Sequence, residues 1–149
     1  MGLDMYLYKD YYLGGMYAEN KNDVLEINVE RGFMPKHLKL KVGDLSSIIT
    51  LAAKWRKAYA INDWFMQKCD ANNCHRAYVD TADLMELFDI VCQVRADHDK
   101  ARELLPSAYG EYDDWYFDDL DYTYKALKPL VEEIKSGKDE YDLYYEASW

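Results

Sequence analysis

The sequence predicts an α+β fold, with a small antiparallel sheet of about three amino-terminal strands packed against a carboxyl-terminal set of about four helices. Three patterns predict it. Apolar residues alternate with polar ones through residues 1–42, they recur every three or four residues through 44–137, and Gly- and Pro-containing breaks separate the runs. At 149 residues, 50% of them apolar, the chain fits a single domain that buries its own core without disulfides or metals. Residues 138–149 are left as an acidic, aromatic tail.

Leu3, Met5 and Leu7 share one side of the opening Leu3-Asp4-Met5-Tyr6-Leu7-Tyr8, the period-2 pattern of a half-buried strand. After Gly14-Gly15, Leu25, Ile27 and Val29 alternate with Glu26, Asn28 and Glu30. Arg31-Gly32 and Pro35 then break the chain before Leu38, Leu40 and Val42 alternate with Lys39 and Lys41. These three runs make the expected sheet. Gly43-Asp44 hands over to a central helix, with Asp44 or Ser46 as cap and Ile48, Leu51, Ala52, Trp55 and Tyr59 facing the sheet. A polar loop, Cys69–His75, and a short Tyr78-Val79 piece lead to Asp80, which with Asp83 opens a helix striped by Leu84, Leu87, Phe88, Val91 and Val94. A short helical piece from Asp99 to Leu105 stops before Pro106. From Asp113 a last helix places Phe117, Leu120, Tyr124, Leu127, Val131 and Ile134 on one face, with Gly137 as its stop and Pro129 as a bend or split.

The net charge of −10 is unevenly spread: residues 1–75 hold 10 Lys/Arg against 9 Asp/Glu, and residues 76–149 hold 8 against 19. Such a carboxyl-terminal field repels nucleic acid and anionic lipid and attracts basic surfaces. No apolar run approaches the roughly 20 residues of a membrane helix. The start lacks a basic segment followed by an apolar one, and Tyr6 occupies the place of a myristoylation Ser or Thr, so a cytoplasmic location is expected. Fifteen Tyr and 4 Trp exceed what the core needs and suit an interface.

Met1-Gly2-Leu3-Asp4-Met5-Tyr6-Leu7 and the stretch from Trp55-Arg56-Lys57-Ala58 through Ala60-Ile61 to Trp64-Phe65 resemble a family of small, poorly characterised phage and prophage proteins. Cys74, Leu104-Leu105-Pro106, Glu111-Tyr112-Asp113 and Asp119-Leu120 continue the resemblance, in order, over nearly the whole chain. Asn62-Asp63 stands where relatives usually carry His-Lys, so any role of that His is absent here. A Gly- and Phe-rich insertion is shortened to Ser107-Ala108-Tyr109-Gly110. The resemblance implies a phage origin and no established catalytic activity. Small phage proteins of this kind often act on host machinery, including the systems that attack phage DNA.

Glu111, Asp113, Asp114, Asp118, Asp119 and Asp121 put six carboxylates into residues 109–122. On a helix this is about one charge per 3.5 Å of axis, close to the roughly 3.4 Å axial spacing of one DNA strand. With the apolar stripe inward, Trp115, Asp118, Asp119 and Tyr122 are expected to face outward together, the mark of a surface for a basic partner. A solvated face, or pairing with Lys54, Arg56 and Lys57, explains the same acids. Those three cations, beside Trp55 and Tyr59, could instead hold a phosphate while a ring stacks on a base.

Cys69, Cys74 and His75 read as reduced thiols and a loop histidine rather than a zinc set, since adjacent Cys74 and His75 do not easily reach one tetrahedral ion; Cys92 falls on a core helix. His37, His75 and His98 sit in polar contexts that suggest no catalytic triad, and Gly14-Gly15 lacks the features of a phosphate loop. The expectation is therefore a non-enzymatic, anti-CRISPR-like inhibitor in the bacterial cytoplasm. It would need neither metal nor cofactor and would bind the basic groove of a nucleic-acid-handling host protein through Glu111, Tyr112, Asp113, Asp114, Trp115, Asp118, Asp119, Asp121 and Tyr122. Two alternatives stay open: a nucleotide-sequestering protein using Lys54, Arg56, Lys57 and Tyr59, and a metal-dependent carboxylate enzyme.

Overall fold

The computed structural model describes residues 2–32 and 37–149; the expected break at Pro35 lies outside the described residues. Contacts divide the chain into two compact units, one of Met1–Lys9 with Thr50–Trp149 and one of Asp10–Ile49. Among the described residues the fold is mixed α+β, with four helices, a four-stranded antiparallel sheet and a separate two-stranded one.

The first strand of the four-stranded sheet in chain order is β1 (Asp4–Tyr12), with Met5 and Leu7, in its part within the larger unit, buried as their alternation predicts. The smaller unit holds β2 (Val24–Asn28) and β3 (His37–Lys41), an antiparallel ribbon in which Leu25 faces Leu40 and Ile27 faces Leu38. This corrects the expected three-stranded sheet: β2 and β3 pair with each other, while β1 takes other partners. Periodicity identifies a strand but not its neighbour. Beyond the ribbon, the Gly43 N–H donates to the Lys21 carbonyl at 2.9 Å, and a Cβ at Gly43 would stand 2.9 Å from that oxygen, so no larger residue fits the crossing.

The predicted central helix is a strand, β4 (Ser47–Arg56). Ile48, Leu51, Ala52 and Trp55 satisfy helical spacing. However, Ile48-Ile49-Thr50 is a β-branched run that favours extended backbone, and Ala53 and Trp55 are buried while Lys54 and Arg56 are exposed, a period of two. The helix is confined to the end of that stretch, as α1 (Tyr59–Lys68).

A short β5 (Ala77–Val79) precedes α2 (Thr81–Ala96), whose cap is the Asp80 carboxylate accepting from the Ala82 N–H at 2.8 Å, with Leu84, Leu87, Val91 and Val94 buried beneath it. A 3₁₀ turn (His98–Lys100) and α3 (Ala101–Leu104) end before Pro106. The last helix, α4 (Asp114–Lys135), is capped by Asp113, which accepts from the Tyr116 N–H at 3.0 Å, and it runs through Pro129 without a split. Among the described residues no helix is long and apolar enough to cross a membrane.

The expected tail is corrected too: Asp142–Ser148 is β6, an inner strand in the order β4-β1-β6-β5. Leu143, Tyr145 and Ala147 are buried, while Asp142, Tyr144 and Glu146 point to the other face. Two acids of the expected tail, Asp142 and Glu146, occupy one side of an alternating strand. Strand residues from one side of the sheet form a continuous core with the helices. At its centre Tyr145 stacks on Phe65, 4.1 Å between ring centroids, and its hydroxyl donates to Asn62 Oδ1 at 2.8 Å.

Tyr145→Phe leaves that buried Asn62 oxygen without its donor, which costs about 1–3 kcal/mol. Urea denaturation is expected to show a lowered midpoint at unchanged slope. The same change at Tyr144, on the opposite face of the strand, is expected to stay within about 0.5 kcal/mol.

Candidate functional site

The site is built where β4 turns into α1. Arg56 ends the strand, and Lys57 adopts φ 61°, a left-handed conformation that is strained for a residue with a side chain. The turn is held by the Lys57 N–H donating to the Leu3 carbonyl at 2.8 Å and the Tyr59 N–H donating to the Lys57 carbonyl at 2.9 Å. The first helical bond runs from Asn62 to Ala58, and no side chain caps the helix, so its first turn opens into a cleft of about 600 Å³.

Arg56, Lys57 and Tyr59 form one side of this cleft; Trp115, Tyr116 and Asp119, from the first turns of α4, form the other. Ser107, Tyr109 and Glu111 close it from the connection between α3 and α4. That connection is pinned at several points. The Tyr116 hydroxyl donates to the Leu105 carbonyl at 2.7 Å, the Ser107 N–H donates to the Tyr112 hydroxyl at 3.2 Å, and Tyr109 meets Tyr59 edge to face at 5.1 Å. Gly110, at φ 69°, closes the turn by donating to the Ser107 carbonyl.

A buried clamp fixes the separation of the two sides. The Trp55 indole N–H donates to Thr123 Oγ1 at 2.8 Å, and that hydroxyl donates to the Asp119 carbonyl at 2.6 Å. One residue back on each element, the Lys54 N–H donates to the Tyr122 hydroxyl at 3.0 Å, and the Tyr122 ring meets Trp55 edge-on.

The cleft brings together residues from both sets of expected site residues. From the acidic set, Glu111, Asp113, Trp115 and Asp119 line it; from the basic set, Arg56, Lys57 and Tyr59 do. The others are placed elsewhere. Asp114 and Asp118 are exposed, Asp121 pairs with Arg95 at 2.6 Å, Tyr112 and Tyr122 are hydrogen-bonded as described, and Lys54 lies over the Tyr6 ring at 5.4 Å. The expectation that Trp115, Asp118, Asp119 and Tyr122 are exposed together is thus met in part: Trp115 is 78% exposed and Asp118 and Tyr122 are open, while Asp119 is half-buried against the cleft. Among the described residues no ion pair joins Lys54, Arg56 or Lys57 to the acids of α4. Ser107, Tyr109 and the helix start were not foreseen; a Gly in a Tyr-rich connection was their only trace.

Burial, aided by the charges of Asp118 and Asp113, pushes the Asp119 carboxyl up to about 6. Burial also raises the Tyr116 hydroxyl. Among the described residues no group of three or more His, Cys, Asp and Glu is placed to hold a metal ion. Cys74 is exposed, His75 hydrogen-bonds its own loop at the Asn73 carbonyl, and burial drives the Cys69 thiol to about 11. Cys92 borders a second cleft with Arg95, His98, Phe117 and Tyr124, where His98 stacks on Phe117 at 3.8 Å. Comparison with protein-family models, curated proteins and solved structures finds no match for the chain.

The folded protein holds a proton on Asp119 more tightly than the unfolded chain does, so stability contributed by this group is lost as pH rises toward and through about 6. Asp119→Asn is therefore expected to raise Tm relative to the unchanged protein at pH 8. Calorimetry across pH should show this gain shrinking as the pH approaches 4.

Proposed function

We propose that this is a ligand-binding protein whose cleft captures a small molecule of the nucleotide class, with an anionic group at one end and a planar ring at the other, and acts by sequestering it. The observation that carries this reading is the facing of Arg56 and Lys57 by the exposed Trp115 across one cleft of about 600 Å³, a volume typical of small-molecule sites. Arg56 and Lys57 line the same cleft as the uncapped start of α1, and cations sharing an opening with a helix start suit a phosphate. A large indole left in solvent beside them is a stacking surface for a base. Carboxylates on the α4 side repel the phosphate and so orient the ligand. The resemblance to small phage proteins supports a functional role for the cleft, because residues 56–61, Glu111, Asp113, Asp119 and Leu120, which belong to the segments that carry it, line that cleft.

A second reading retains the acidic, aromatic face as a surface for a basic host protein, such as a nucleic-acid-handling defence factor. The exposure of Asp114, Asp118 and Trp115 favours it. It ranks below the cleft because Asp113 caps α4, Asp119 lies against the cleft and Asp121 pairs with Arg95, which interrupts the row of carboxylates.

Thermal shift with a panel of nucleoside monophosphates separates the two. Ligand at 100 times its Kd adds about 2.7 kcal/mol, or roughly 5–10 °C for a chain of this size. That shift is expected in the unchanged protein and in an Asp114→Asn/Asp118→Asn variant, and is expected to vanish in Arg56→Ala/Lys57→Ala.

A further inference from the structure

Resting on the reading of the cleft as a nucleotide site, we propose that it selects guanine, and that Asp119 is the residue that reads the base. Trp115 and Asp119 are four residues apart on α4, so they stand on the same side of the helix with about 6 Å between them along its axis. Both line the cleft, opposite Arg56 and Lys57. A purine stacked on the indole, with its phosphate held by the two cations, presents its hydrogen-bonding edge one helical turn further on, at the carboxylate.

That carboxylate is short of partners. It is half-buried, and among the described residues no donor is hydrogen-bonded to its side chain, while its neighbours Asp113 and Asp118 are themselves acidic. Its oxygens are therefore open to donors that a ligand in the cleft would bring. An ionised carboxylate offers two acceptors side by side and no donor. Guanine is the base whose edge matches, with N1–H and the N2 amino group as adjacent donors. Adenine pairs its amino donor with the N1 acceptor, cytosine pairs its amino donor with N3, and uracil flanks one N–H with two carbonyl oxygens. Each of these sets an acceptor against one carboxylate oxygen, and an unmatched polar pair in a partly buried site is heavily selected against.

The same chemistry predicts a switch. Asp119→Asn replaces two acceptors by one acceptor and one donor, the complement of adenine rather than guanine. Isothermal titration of the unchanged protein and of Asp119→Asn with guanosine and adenosine 5′-monophosphate at pH 7.5 tests it. The unchanged protein is expected to bind the guanine nucleotide at least about tenfold more tightly, and the variant to lose about tenfold or more for guanine while holding or gaining for adenine. Asp118→Asn, one residue away and open to solvent, is expected to keep the guanine preference. Equal binding of the two nucleotides by the unchanged protein, or an equal loss of both in the variant, overturns the guanine assignment and leaves the nucleotide site standing. Failure of both nucleotides to bind the unchanged protein at millimolar concentration overturns the site itself and the assignment with it.

Discussion

The hydrogen bond from the Trp55 indole to Thr123 is the constraint on which the rest of the candidate site depends. It joins Trp55, the penultimate residue of β4, to the third turn of α4 in a fully buried position, where the hydroxyl accepts from Trp55 and donates to the Asp119 carbonyl. A hydroxyl used in both directions is satisfied and is fixed in orientation. Because Arg56 and Lys57 follow Trp55 directly, and Asp119 is the residue whose carbonyl completes the chain, the clamp sets cations and carboxylate on opposite sides of one opening. The neighbouring bond from Lys54 to Tyr122 prevents the two elements from pivoting about that single link.

The framework behind the clamp comes from both ends of the chain. β6 lies between β1 and β5, so the inner part of the sheet is completed by residues 142–148, after every helix has been laid down in sequence. Tyr145 ties this strand to α1 through Phe65 and Asn62, the helix whose first turn opens into the cleft. The Lys57 conformation is held by the carbonyl of Leu3, the residue just before β1, so the strained corner is supported from the sheet side and not by the cleft.

Elements defined by local pattern were legible in the sequence. Met5 and Leu7 marked β1, Leu84 to Val94 marked α2, and Asp113 with the stripe from Phe117 to Ile134 marked α4, because one buried face imposes its period on the residues. Where two periods fit the same residues, pattern alone misled. Ile48, Leu51, Ala52 and Trp55 match a helix, and the decision for β4 came from β-branched residues and pairing with β1. In β6, counting acids concealed the alternation of Leu143, Tyr145 and Ala147. The site residues were visible as types, a basic aromatic group and an acidic aromatic group, but as rivals. That they share a cleft is fixed by hydrogen bonds between β4 and α4, which no local spacing records.

A protein of net charge −10 gains little from long-range steering of an anion, so any capture of a nucleotide must come from the local arrangement: cations at one side, indole and carboxylate at the other. The most direct test is therefore one of place. In a ¹H–¹⁵N titration with guanosine 5′-monophosphate, the shifted resonances are expected to be the backbone amides of residues 56–61 and the Trp115 indole. Absence of shifts at millimolar ligand, or shifts centred instead on the Tyr6, Tyr8 and Tyr144 side of the sheet, would contradict the account.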